Sequence, residues 1–91
     1  MFNLGNKVVT CGISDAMKND DKFCAEVMVA TNRYVKCDWG DLCDEDKEMN
    51  DRAVMNGDDR ILAAYNTSKG KIWIITEWDR SCTTVLFPNE Y

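Results

Sequence analysis

The last third of the chain alternates apolar and polar positions in short runs separated by turn residues. Residues 60–66 and 71–77 flank the polar loop 67–70, which ends in glycine, and this arrangement predicts a β-hairpin. A second turn at residues 78–81 leads into residues 83–87, which are rich in the β-branched and aromatic side chains typical of strands. The pattern predicts a three-stranded antiparallel meander.

The N-terminal part of the chain predicts one strand and two helices. Residues 7–11 form a short β-type run, and residues 13–18 are sufficient for a short helix. Asp20 is a suitable N-cap for a helix over residues 21–30, where apolar side chains recur at helical spacing. Residues 32–37 suit either a strand or a buried loop.

The clearest helix begins at three acidic residues, 44–46, where the helix dipole favours negative charge, and ends before Gly57. Residues 38–41 precede it as a turn, which Leu42 anchors in the core. Together these elements predict an α+β fold in a single domain, residues 1–91. A small antiparallel sheet, made by the meander and the N-terminal strand, carries two or three helices, with the acidic helix packed on one face.

The central strand of the meander is apolar on both sides. Successive side chains of a strand point to opposite faces. One face receives Ile72, Ile74 and Thr76, and the other receives Trp73, Ile75 and Glu77. Because the helices cover only one face, the other is expected to pack against the N-terminal segment or to serve as a partner surface, for which a homodimer is the candidate.

The amino-acid composition argues against several classes of catalytic and metal site. The chain contains no histidine, so it lacks the usual general base of a serine or cysteine nucleophile and the commonest transition-metal ligand. Its cysteines form no C-x-x-C pair, which favours free thiols in a reduced, intracellular protein. They are Cys11, Cys24, Cys37, Cys43 and Cys82. No apolar run is long enough to span a bilayer. We therefore expect no cofactor, no metal and no membrane partner.

The net charge of -5 is concentrated in one segment. Between Asp38 and Asp59, nine acidic residues stand against Lys47 and Arg52, a local balance of -7. This segment should repel nucleic acid and attract a protein partner with a basic surface. Its spacing does not match an EF-hand. Phosphate mimicry and a merely solvated helix face both remain open. The candidate partner-binding residues here are Asp38, Asp41, Asp44, Glu45, Asp46, Glu48 and Asp51.

The turn after the central strand is a second candidate site. Two carboxylates, Glu77 and Asp79, stand beside Arg80 and could position a metal ion or a water molecule. The alternative is structural: Asp79 and the following serine make local hydrogen bonds while the arginine pairs with a carboxylate. The partner-binding candidates in this region are Trp73, Trp78, Asp79 and Arg80.

Two stretches carry a resemblance to a known family. The first is Asp38-Trp39-Gly40-Asp41-Leu42 with Glu45, Asp46, Lys47 and Asn50. The second runs from Ile72-Trp73-Ile74-Ile75-Thr76-Glu77 through Asp79-Arg80-Ser81 and Thr83-Thr84-Val85-Leu86 to Glu90-Tyr91. Together they resemble a family of small bacterial proteins encoded on plasmids, phages and other mobile elements. The match covers residues 38–91 and departs from the family pattern at Trp78, Cys82 and Phe87.

The resemblance implies a context and no catalytic residues, because the family has no agreed enzymatic activity. Small acidic proteins of mobile elements often resemble inhibitors of host defence, including anti-CRISPR proteins that occupy a basic nucleic-acid channel. The expected function is therefore a non-enzymatic binding protein that inhibits a CRISPR effector or a similar defence nuclease in the host cytoplasm. It is not expected to bind nucleic acid directly. The alternatives are a small regulatory or structural adaptor and, third, a metal-using enzyme at Glu77 and Asp79.

Overall fold

The computed structural model describes residues 2–57 and 59–91, so Asp58 of the acidic segment lies outside the described residues. The elements form an α+β fold, as predicted. In chain order they are β1 (Asn6–Val9), α1 (Cys11–Asn19), α2 (Asp21–Val35), α3 (Asp44–Asn56), β2 (Ile61–Thr67), β3 (Gly70–Thr76), β4 (Cys82–Leu86) and a 3-10 turn (Pro88–Glu90).

The strands form one sheet in the order β1-β4-β3-β2. The predicted antiparallel meander is confirmed, with Ala64 opposite Trp73 and Trp73 opposite Leu86. The N-terminal strand joins this sheet as predicted, but it runs parallel to β4, so the sheet is mixed. Its two edges are therefore β1 and β2.

α2 begins where the sequence predicts and ends later. The Asp20 side chain accepts hydrogen bonds from the backbone N–H groups of Lys22 and Phe23, at 3.0 and 3.2 Å. The helix then continues to Val35, so the expectation of a strand or loop at residues 32–37 is wrong for its first four positions. Tertiary packing decides this, because one buried stripe extends past the predicted end: Phe23, Val27, Ala30 and Tyr34.

The two faces of the sheet are covered differently. The helix face, which carries Ile72, Ile74 and Thr76, is buried in the core together with residues of α1 and α2. The opposite side is called the Trp73 face, and there the Tyr91 ring lies edge-on to Trp73, with centroids 5.8 Å apart. The N-terminal segment, one of the two covers predicted for this face, instead packs into the core cluster.

α3 runs from Asp44 to Asn56, and Gly57 follows it with a left-handed φ of 70°, as its position predicts. Its main contacts with the sheet are with the edge strand β2. α3 thus packs at the β2 edge of the helix face, where its Ala53 joins the core cluster. None of the helices described between residues 2 and 91 has the length and hydropathy needed to cross a membrane.

A chain of buried hydroxyl groups crosses the core. The Tyr34 hydroxyl lies 2.7 Å from Oγ1 of Thr76, which lies 2.8 Å from Oγ1 of Thr83. The hydroxyl of Thr83 donates a hydrogen bond to the carbonyl oxygen of Leu4, at 2.7 Å. Because a carbonyl can only accept, the protons point from Tyr34 toward Leu4. Among the described residues no buried side-chain polar atom lacks a partner.

Candidate functional site

The loop before α3 covers the outer edge of β2. The N–H of Asp41 donates to the carbonyl of Ala64 at 2.7 Å, and the N–H of Ala64 donates to the carbonyl of Trp39 at 3.4 Å. Between them Gly40 has a φ of 73°, and a Cβ atom there would overlap the carbonyl oxygen of Ala64. The glycine therefore permits the loop to pair with the strand. The predicted turn at residues 38–41 is a backbone partner of β2.

Asn50 of α3 completes this cover. Its amide nitrogen donates to the carbonyl of Leu62 at 2.8 Å, while its amide oxygen accepts from the N–H of the same residue at 3.4 Å. Asn50 is only 6% exposed. Sequence reasoning noted this residue within the motif but assigned it no role. The available signal was an asparagine on the buried side of a helix, where Ala53 follows at helical spacing.

Two of the predicted binding carboxylates already have cationic partners. Asp38 accepts two hydrogen bonds from the Arg33 guanidinium, at 2.8 and 3.2 Å. The carboxylate of Asp41 lies 3.1 Å from the Lys71 ammonium. Arg33 lowers the pKa of Asp38, and Lys71 lowers the pKa of Asp41, because each cation favours the charged carboxylate. These two residues therefore hold the loop to α2 and β3.

Asp51 is engaged with the core. Its carboxylate accepts a hydrogen bond from the indole N–H of Trp39 at 2.9 Å. Trp39 is buried and packs edge-on against Tyr34, with ring centroids 5.5 Å apart. The ring centroid of Phe2 lies 5.9 Å from that of Trp39. Trp39 is thus a core anchor, and Asp51 satisfies its polar atom.

The outward side of α3 carries carboxylates that have no hydrogen bond or ion pair within the described part of the chain. We call Asp44, Glu45, Glu48 and Met55 the α3 outer face. Positions 44, 48 and 55 follow one stripe of the helix. Met55 is 85% exposed, so an apolar side chain stands among the charges.

Asp46 belongs to a different surface. It lies two residues after Asp44 and therefore about 200° around the helix. There it lines a groove of about 240 Å³ together with Met49 and Arg60. The predicted acidic residues thus do not form one surface. Asp38, Asp41 and Asp51 bond to other residues of the chain. Asp46 lines the groove, and the remaining three, Asp44, Glu45 and Glu48, belong to the α3 outer face.

The turn between β3 and β4 is organised by Arg80. Its guanidinium donates to the carbonyl oxygens of Ala53 at 2.8 Å, Asp59 at 2.6 Å and Trp78 at 3.1 Å. Among the described residues no carboxylate makes the pair with this arginine that the structural alternative expects; Arg80 instead binds main-chain oxygens of α3 and of the loop after it. Asp79 accepts from the N–H of Ser81 at 3.0 Å, the local bond that the structural alternative predicts.

The two tryptophans of this region differ in their surroundings. Trp73 is half-buried beneath Tyr91, whereas Trp78 is exposed at the turn. The end of the chain is fixed by Glu90, whose carboxylate accepts from the Thr10 hydroxyl at 2.6 Å and from the Gly12 N–H at 3.2 Å. The Glu90-Tyr91 motif therefore joins the C-terminus to the start of α1 and to the Trp73 face.

In residues 2–57 and 59–91, no group of three or more His, Cys, Asp or Glu side chains lies close enough together to hold a metal ion. All five cysteines are free thiols, and Cys11 and Cys43 are exposed.

Comparison with known proteins gives no relative: no family model, no curated protein and no solved structure matches the chain. What can be said of its function therefore depends on its own motifs and surfaces.

Proposed function

We propose that the chain is an acidic binding protein of a mobile genetic element, which inhibits a bacterial defence nuclease by occupying a basic nucleic-acid-binding surface. The α3 outer face is the contact surface in this proposal. The observation that carries it is the set of carboxylates without a partner inside the described chain, beside an exposed methionine.

The methionine favours a binding surface over a solvated face. A helix surface that only keeps a protein in solution gains nothing from Met55, which is 85% exposed. Protein interfaces are enriched in methionine, whose flexible side chain adapts to a partner. Met55 shares a helical stripe with Asp44 and Glu48, so charge and apolar surface would meet one partner together.

The charge distribution supports a basic partner. The acidic segment holds a local balance of -7 in a chain of net charge -5, and Arg33 and Lys71 offset two of these charges by pairing with Asp38 and Asp41. Such a field accelerates encounter with a positively charged surface and repels nucleic acid. Basic channels that bind nucleic acid have this complementary charge. The identification of the partner as a CRISPR effector or similar nuclease, acting in the host cytoplasm, depends on the resemblance of residues 38–91 to mobile-element proteins.

In this proposal the protein acts by binding rather than by catalysis. The support is that two side chains of the alternative catalytic turn are already used locally, since Arg80 bonds main-chain carbonyls and Asp79 bonds Ser81. A small adaptor that binds without inhibiting is the competing function, and the experiment below separates the two.

The proposal is tested by plasmid interference in bacterial strains that each carry one active CRISPR system. Expression of the wild-type chain should raise transformation by a targeted plasmid in at least one strain. The variant Asp44→Lys, Glu45→Lys, Glu48→Lys, which changes the net charge from -5 to +1, should lose this effect.

The matched control is Asp15→Lys, Asp21→Lys, Glu77→Lys. It makes the same change of charge at exposed positions, and Asp21 opens α2 as Asp44 opens α3. The control should inhibit like the wild type. Equal loss in both variants would assign the effect to net charge alone, and a wild-type chain without effect in any strain would favour the adaptor.

A further inference from the structure

The two edges of the sheet are protected unequally. The outer backbone groups of β2 bond to the loop at residues 39–41 and to Asn50. β1 is the other edge, and within the described residues no strand pairs with its outer side and no backbone hydrogen bond reaches it. An unpaired strand edge is a template for another strand.

The free backbone groups of β1 can be assigned from its pairing. Asn6 donates to the carbonyl of Ser81 and Thr10 donates to the carbonyl of Val85, both at 3.1 Å. In a parallel pair, alternate residues direct both backbone groups to the same neighbour. Asn6, Val8 and Thr10 therefore face β4, while the N–H and C=O groups of Lys7 and Val9 point outward.

The side chains around this edge are apolar and exposed. Val8 is 45% exposed on the Trp73 face, and Val9 is 44% exposed on the helix face. Met28 of α2 is 62% exposed and lines a groove of about 330 Å³ between α2 and β1. Of the described residues, none that lines this groove is acidic.

We propose that β1 is a homodimer interface, at which β1 of a second copy pairs antiparallel to it across a two-fold axis at Val8. In this register Val8 lies opposite Val8 of the second copy. Lys7 and Val9 form the flanking pairs, each exchanging two N–H···O bonds across the axis. A register centred on Lys7 would place like charges opposite each other, which destabilises a strand pair.

The charge distribution allows a second copy to approach at this edge. Each chain has a net charge of -5, but its acidic helix lies along β2, the sheet edge remote from β1, and none of the described residues that line the groove beside β1 is acidic. Pairing through β1 therefore places the two acidic helices at the outer ends of a continuous sheet. The two-fold axis is perpendicular to this sheet, so Met28 of both copies lies on the same side of the strand pair.

The dimer should be weak. We expect a pair of four-residue strands with one flanking groove to bury less than the roughly 800 Å² per partner of a standard interface. We expect a dissociation constant of about 1–100 µM. Sedimentation equilibrium between about 1 µM and 1 mM should show the mass rising from 10.4 kDa toward twice that value.

Val8→Lys provides the specific test. It places two lysines opposite each other at the axis while lying on an exposed position, so the fold should be kept and the dimer lost. Met49→Lys is the matched control, because it also replaces an exposed apolar side chain by lysine, on α3 at the remote β2 edge. The control should dimerise like the wild type. A dimer that survives Val8→Lys, or one that Met49→Lys abolishes equally, would overturn the proposal.

If Val8→Lys fails to fold, hydrogen exchange of the wild type tests whether β1 is the dimer interface. The Lys7 and Val9 amides should exchange more slowly as the protein concentration rises, whereas their rates in a monomer would not depend on concentration. A wild-type chain that remains monomeric over the whole range contradicts the proposal. Protection of these amides only after a different protein is added would assign the edge to a foreign strand and would also refute a second copy.

Discussion

At the scale of single residues, Arg80 has the widest effect on the loops. Its guanidinium donates to the carbonyl of Ala53 in the last turn of α3 and to the carbonyl of Asp59 in the loop after that helix. It also donates to the carbonyl of Trp78 in its own turn. Arg80 has a left-handed φ of 62°. Arg80→Lys keeps the charge but replaces a planar fork by a single ammonium group. We expect a loss of about 1–3 kcal/mol in the free energy of unfolding, because carbonyls lose their donors.

Urea unfolding of Arg80→Lys measures this loss. Arg52→Lys is the control, since Arg52 is exposed on the same helix that Arg80 bonds. If both variants unfold at the same urea concentration as the wild type, the contacts of Arg80 do not stabilise the fold.

Two buried tyrosines make the free energy of unfolding depend on pH in the alkaline range. Burial raises the pKa of Tyr34 and the pKa of Tyr65, because the phenolate would lose its hydration. The unfolded pKa is about 10, so the stabilisation is complete below about pH 10 and is lost as the pH rises toward the higher folded value. The free energy of unfolding should fall by up to about 1.4 kcal/mol per pH unit for each of the two.

Tyr34→Phe tests this dependence. The variant removes one of the two titrating groups, so its unfolding free energy should fall less steeply above pH 10 than that of the wild type. Its stability at neutral pH should be lower by about 1 kcal/mol, because the hydroxyl chain through Thr76 loses its first donor. Identical slopes for the two proteins would show that Tyr34 ionises without unfolding the chain.

At the scale of elements, the edge strand β2 depends on one side chain of α3. Asn50→Leu keeps the size but leaves both backbone groups of Leu62 without partners, so we expect a loss of about 1–3 kcal/mol. The exposed edge should also promote association at high concentration. Asn56→Leu, at an exposed position of the same helix, is the control. Equal urea midpoints and equal light scattering for the two variants would rule out this role for Asn50.

Glu90 joins the C-terminal 3-10 turn to the start of α1. Its carboxylate accepts from Thr10 and Gly12 at the start of α1, and the Thr10 bond lowers the pKa of Glu90. The stabilisation should therefore be present above the ordinary carboxyl pKa of about 4.3 and be lost as the pH falls through the folded value. Glu90→Gln should lower the melting temperature at pH 7 and speed amide exchange in the first turn of α1. Unchanged exchange in that turn would disprove the role of Glu90.

At the scale of the whole molecule, the sequence predicts those features that local patterning controls. Alternation identifies the meander, Asp20 marks the start of α2, and Gly57 marks the end of α3. The direction of β1, the length of α2 and the position of α3 at an edge follow from long-range packing, which periodicity does not encode. Spacing alone likewise does not predict that Asp51 would bond Trp39, so its charge is not free for a partner.

The central proposal is that the α3 outer face competes with nucleic acid for a basic surface. The most direct measurement uses a guide-loaded effector from a strain in which expression of the chain raises transformation, bound to a fluorescent target DNA duplex. Added wild-type chain should release the duplex, with an apparent affinity that weakens as salt rises because opposite charges are screened. The variant with lysine at Asp44, Glu45 and Glu48 should release little of it. Binding of the chain to an effector that retains its DNA, or release that is equal for both proteins at every salt concentration, would contradict this proposal.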